Sequence, residues 1–195
     1  MFDLSELTWN RSALPYTVDS ECVQITTKPE TDLWQKTFAG FSKDNAPVLQ
    51  TTITEPCFIF SVKASFEGKA QYDQCGVILY QDSDTWLKVS IECQDENIKY
   101  LGSVATNHGY SDWATTEIPA SITTMWYRIY RKGPDFMIEY SKDGVHYSLM
   151  RMLHMWKSEN AVQLGVYACS PGQSSFTATF TEFSFEEQKP EEMGL

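Results

Sequence analysis

No stretch of the chain approaches the roughly 20 consecutive apolar residues that a membrane-spanning helix requires. Basic residues are also scarce. Only 15 Lys and Arg stand against 26 Asp and Glu, a formal net charge of -11, and no local Lys/Arg cluster offsets it. Such a surface repels a phosphate backbone and an anionic lipid headgroup, so nucleic acid and membrane drop out as partners. The three histidines, His108, His146 and His154, lack the H-x-H, H-x-x-x-H or HExxH spacing of a zinc site. There is no G-x-S-x-G nucleophile elbow, no phosphate-binding glycine loop and no calcium-loop motif, so neither cofactor nor metal is predicted. The five cysteines, Cys22, Cys57, Cys75, Cys93 and Cys169, are odd in number and form no CxxC, which reads as buried free thiols. The opening residues, MFDLSELTWNRS, carry early acids and no apolar run, unlike a secretory leader. The location predicted from this is cytoplasmic.

What is present is alternation. Aromatics make up 14% of the chain, and β-branched and aromatic residues alternate with polar ones over short runs, the period of a half-buried strand. Strands are predicted at 21–27, 48–54, 57–66, 72–81, 85–93, 98–106, 113–118, 125–132, 136–141, 146–153, 161–169 and 174–185. Between them lie polar breakers, among them Asp82-Ser83-Asp84, Asp95-Glu96-Asn97 and Asp143-Gly144, the last a strong hairpin signal. No long helical pattern competes. Many strands joined by tight turns predict an all-β fold, a two-sheet antiparallel β-sandwich of the jelly-roll kind. With no repeat and no linker, residues 1–185 read as a single domain and the charged residues 186–195 as a flexible tail.

The segment 85–93 carries the most chemistry. Alternate side chains of a strand point to opposite faces, so Leu87, Val89, Ile91 and Cys93 form a core face while Trp86, Lys88, Ser90 and Glu92 share a wet one. Across the Asp82-Ser83-Asp84 turn, Cys75, Val77 and Leu79 join the core, and Gln74, Gly76, Ile78 and Tyr80 lie beside the Trp86 row, Gly76 leaving room for a ligand. That row is either a binding surface or a solvated outer face. Asp112 and Trp113 could offer a hydroxyl acceptor beside a stacking platform, or a turn hydrogen bond beside a core residue. Arg128 either binds ligand oxygens or pairs with Glu92.

Catalytic signals are thin. Retaining sandwich glycosidases carry an E-x-D-x-E strand that holds both carboxyl groups on one face, whereas Glu92-Cys93-Gln94-Asp95-Glu96 has Gln at the middle position and Glu96 in a predicted turn. Glu92 could still pair with Asp73 or Asp112 from another strand, the arrangement a sugar-acting hydrolase would need.

Several motifs in register, from Thr31-Asp32-Leu33-Trp34 through Tyr72-Asp73-Gln74-Cys75-Gly76, Trp86-Leu87-Lys88-Val89-Ser90-Ile91-Glu92 and Ser111-Asp112-Trp113 to Tyr140-Ser141-x-Asp143-Gly144, Arg151 and Ser170-Pro171, resemble a domain-of-unknown-function family that includes the fungal regulation-of-enolase protein. The family is similar to the concanavalin A-like lectin and glucanase superfamily. The resemblance implies a jelly roll whose concave sheet carries a ligand site of Trp34, Tyr72, Asp73, Gln74, Trp86, Lys88, Glu92, Asp112, Trp113 and Arg128. Cys75 and Val89-Ser90 depart from the family's usual alanine and Ala-Gly, the latter narrowing the concave face. The function predicted is binding of a carbohydrate or other small polar ligand without catalysis, the alternatives being the hydrolase above or a regulatory protein partner of a metabolic enzyme.

Overall fold

The computed structural model describes residues 2–192. Within them the chain forms sixteen strands and two single-turn 3-10 helices, Leu4–Glu6 and Pro190–Glu192. The strands are β1 (Thr8–Trp9), β2 (Tyr16–Val18), β3 (Val23–Thr26), β4 (Leu33–Gln35), β5 (Ser42–Asp44), β6 (Val48–Ile53), β7 (Cys57–Ser65) and β8 (Gln74–Asp82). They continue as β9 (Thr85–Cys93), β10 (Ile98–Asn107), β11 (Tyr110–Pro119), β12 (Thr124–Lys132), β13 (Asp135–Ser141), β14 (Ser148–His154), β15 (Val162–Cys169) and β16 (Thr177–Glu187). No helix among the described residues is long and apolar enough to cross a membrane.

The strands build two seven-stranded antiparallel sheets, ordered β1-β6-β15-β8-β9-β10-β11 and β14-β13-β12-β7-β16-β3-β2. This is the predicted sandwich. Its core follows from the alternation read in the sequence: Phe58, Phe60, Val62 and Ala64 of β7 face Cys75, Val77 and Leu79 of β8 and Leu87, Val89, Ile91 and Cys93 of β9 in one continuous buried cluster. Each large apolar side chain removed from water there contributes about 1.5–3 kcal/mol. Cys57, Cys75, Cys93 and Cys169 are buried free thiols, and Cys22 is half-buried.

Four short strands escape the sequence reading: β1, β2, β4 and β5. Their runs are too short for a period to register. Two of them matter for function. β4 and β5 form a separate hairpin, Leu33 opposite Asp44 and Gln35 opposite Ser42, laid on the outer face of the first sheet. The end of β16 also differs, because Glu186 and Glu187, read as the start of a tail, pair with Ile59 and Phe58 of β7. Residues 193–195 of that tail lie outside the described residues.

Candidate functional site

The outer face of the first sheet is written by the register. Across β9, β10 and β11 it presents Trp86·Thr106·Ser111, Lys88·Val104·Trp113, Ser90·Gly102·Thr115 and Glu92·Tyr100·Glu117. On β8 the same face carries Gln74, Gly76, Ile78 and Tyr80. Side-chain alternation therefore puts the Trp86 row where the sequence places it. The row is not wet, however: every residue of β9 is buried.

The hairpin is the reason. Leu33, Ala46, Val48, Ile78, Tyr80, Trp86, Val104, Tyr167 and Cys169 form a second apolar cluster under it, with Trp34 packed alongside. Polar ties fasten it down. Lys88 Nζ donates to the Leu33 carbonyl at 2.8 Å and reaches Asp32 Oδ1 at 3.4 Å. Tyr80 Oη donates to Asp44 and accepts from Arg11. At the tip, Gln35 N donates to Ser111 Oγ at 2.8 Å, and Lys36 Nζ stands 5.0 Å from the centre of the Tyr110 ring.

Beside the hairpin, the uncovered part of the sheet forms a cleft of about 1040 Å³. Its floor is Lys88, Glu92, Gln74 and Val104, and its walls and rim include Asp32, Trp34, Phe38, Phe41, Tyr72, Tyr110 and Trp113. Phe38 is fully exposed at 108%, Tyr110 at 60%, Phe41 at 48% and Tyr72 and Trp113 at 42% each. The rim is thus a ring of solvent-facing aromatics around a polar floor. Phe38 is held out by the tight loop between β4 and β5, in which Lys36 and Phe38 take φ values of 57° and 59° that side chains rarely adopt. Trp113 leans across Gly102, where an added Cβ would stand 3.2 Å from its Nε1, and meets Tyr100 edge-on with ring centroids 5.8 Å apart.

Glu92 is the floor's unusual group. Burial pushes its carboxyl up to about 7, a rise that nearby Lys88 opposes and Asp32 reinforces. Its orientation is set by a chain of hydrogen bonds. Tyr167 Oη donates to Gln74 Oε1 at 2.9 Å, and Gln74 Nε2 donates to the Tyr72 carbonyl and to Glu92 Oε2, each at 3.1 Å. With its oxygen and both N–H groups engaged, the amide cannot flip without losing bonds.

Seven of the ten residues predicted for the site line this cleft: Trp34, Tyr72, Gln74, Lys88, Glu92, Asp112 and Trp113. The other three do not. Trp86 is fully buried beneath the hairpin. Asp73 is fully buried too, its carboxylate accepting from the Lys69 and Ala70 N–H groups and from Ser174. Arg128 projects from the outer face of the other sheet, over the Tyr147 ring at 3.6 Å and beside Glu139 at 3.6 Å, so it pairs with that acid and not with Glu92.

Two further expectations change. The carboxylate of Asp112 binds Arg151 at 2.7 Å, and its register partner Ala105 belongs to the inter-sheet core, so Asp112 and Trp113 point to opposite faces. Neither Asp73 nor Asp112 therefore faces Glu92 as a second acid. Over Gly76 there is no room for a ligand either. The ring of Tyr167, the register partner of Gly76, reaches across to Gln74. Asp32, Phe38, Phe41 and Tyr110 were missed as lining residues. Asp32, Phe38 and Phe41 come from loops, where alternation assigns no face, and Tyr110 opens β11 three residues before the predicted start of that strand.

Comparison with known proteins places the chain. Residues 9–188 match the family described as protein of unknown function (DUF1349). The chain belongs to this family. Regulation of enolase protein 1 of Saccharomyces cerevisiae is 30% identical over 182 residues, 93% of this chain and 90% of its own length. A functionally unknown protein from Saccharomyces cerevisiae with a crystal structure superposes at a TM-score of 0.87 and 28% identity, covering 96% of this chain and all of the other. A mutant of the GH43 protein BlXynB from Bacillus licheniformis superposes at 0.67 with 16% identity over 86% of this chain and 33% of its own. At that identity the likeness is one of β-sandwich fold.

Proposed function

We propose that this DUF1349 protein is a cytoplasmic domain that binds a neutral carbohydrate in the cleft without hydrolysing it. One observation carries the reading: five exposed aromatics ring a floor of directed polar groups, Lys88, Gln74 and Glu92. Sugars need both. Flat apolar rings accept their C–H faces, while fixed donors and acceptors read their hydroxyls. Against an anionic ligand stand the net charge of -11 and the pairing of Lys88 with Asp32, with Lys43 as a second lining cation. Hydrolysis would need a second carboxyl group facing Glu92 across the bond to be cut. Asp73 and Asp112 are committed elsewhere, and Asp32, which shares the cleft with Glu92, has its Oδ1 engaged by Leu33 N and Lys88 Nζ.

Calorimetric titration with mono- and oligosaccharides tests the reading. Trp113→Ala and Glu92→Gln should each weaken binding about tenfold or more, a loss of about 1.4 kcal/mol. Unchanged binding of every saccharide by both variants would place the site elsewhere.

A second reading rests on the name of the yeast relative, regulation of enolase protein 1. On it, the exposed aromatic rim contacts a metabolic enzyme. Affinity capture that retains no such enzyme with the parent protein would count against it.

A further inference from the structure

The cleft occupies only part of the outer face of the first sheet. Strands β6 and β15 also present side chains there, Val48 and Gln50 on one and Tyr167 and Cys169 on the other, and all four are buried. None of them lines the cleft. Val48, Tyr167 and Cys169 belong to the cluster under the hairpin, which Asp44, Tyr80 and Arg11 close off. A groove crossing the whole sheet, open at both ends, is therefore absent among the described residues. What remains runs from Trp113 on the edge strand β11 inward across β10 and β9 to Gln74 on β8.

The two ends differ in chemistry. At the sheet edge stand the exposed rings of Trp113 and Tyr110. At the inner end lie the buried Glu92, Lys88 and Gln74, flanked by Tyr72 and by Pro171, which follows β15 where Cys169 pairs with Gln74. Polar groups able to read hydroxyls are thus concentrated where the cleft stops, beside the ring of Tyr72, while the rings of Trp113 and Tyr110 line the way out over the sheet edge. An interior unit of a polysaccharide has a glycosidic bond on each side and must enter and leave. A terminal unit has only one, and the hydroxyl freed at its other side needs a hydrogen-bonding partner.

We propose that the cleft takes the end of a neutral oligosaccharide chain, with the terminal ring against Glu92 and Lys88 and the following units passing over Trp113 and off the β11 edge. This rests on the carbohydrate reading above and specifies its ligand. Glu92 holds one oxygen against Gln74 and leaves the other for a terminal hydroxyl.

Calorimetry on the full chain, with linear xylo-, cello-, laminari- and malto-oligosaccharides each supplied as a disaccharide, a hexasaccharide and a longer defined chain, decides the matter. End recognition predicts that, in whichever series binds, the protein-to-chain ratio stays constant with length. Affinity per mole of chain should change less than about threefold from hexasaccharide to longer chain. Cyclic malto-oligosaccharide, which has no ends, should bind at least about tenfold more weakly than its linear counterpart if the malto series is the one bound. A ratio that rises with length, or binding of the cyclic form equal to the linear one, overturns end recognition while the carbohydrate reading stands. Heat from no saccharide in any series overturns both.

Discussion

Glu92 couples the cleft to pH. Its carboxyl titrates at about 7 in the folded chain against an ordinary value of 4.5, because burial disfavours the charged form. The folded state therefore binds a proton between these values that the unfolded state has released, so the group costs stability as pH rises through that window. The cost is absent below the ordinary value and complete above the folded one, at most about 3 kcal/mol. Glu92→Gln should accordingly stabilise the protein by up to about 3 kcal/mol near pH 8 and leave it nearly unchanged near pH 4, as urea unfolding at the two pH values would measure. Equal effects at both would mean that the carboxyl is not desolvated. Trp86 and Trp113 make the complementary comparison. Trp86→Ala empties a fully buried site and should cost about 3–5 kcal/mol of stability. Trp113→Ala, at a half-exposed edge position, should shift the melting temperature little while weakening saccharide binding. Both tryptophans stand at readable positions of one face, and only coverage by the hairpin separates their roles.

At the scale of elements, β8 depends on a glycine for a reason alternation does not reveal. A Cβ at Gly76 would stand 1.8 Å from the Val89 carbonyl oxygen of β9, an impossible approach to backbone that cannot swing away. Gly76→Ala should therefore destabilise by more than about 3 kcal/mol, or force β8 and β9 apart, seen as lost amide protection along both strands. Wild-type-like stability and exchange would contradict the geometry. The sequence reading gave Gly76 a role beneath the ligand, while the structure puts it beneath Tyr167. The long strands were legible because each shows several turns of a two-residue period. β9 runs over the predicted residues, Thr85–Cys93. The hairpin β4–β5 was not, since three residues carry no period and its burial comes from partners far along the chain, such as Lys88 and Ser111.

Across the whole molecule, Arg131 closes one end of the sandwich. It is fully buried, and its guanidinium donates to the carbonyls of Glu55, Gly133, Ser158 and Asn160, drawing three connections together. Arg131→Met keeps much of the side-chain bulk but strands those carbonyls. The expected loss is about 3 kcal/mol or more, with saccharide affinity of the folded fraction unchanged because the residue is remote from the cleft. A thermal melt combined with titration checks both halves. The sequence by itself determined the two-sheet sandwich and the core faces of β8 and β9, because a period of two is a local property. Only the tertiary structure decided which part of the outer face of the first sheet stays open. That depended on a short hairpin folding over Trp86, on Arg128 facing away on the other sheet, and on Asp73 and Asp112 being engaged by Ser174 and Arg151. Each is a contact between residues distant in the chain, and no local pattern encodes it.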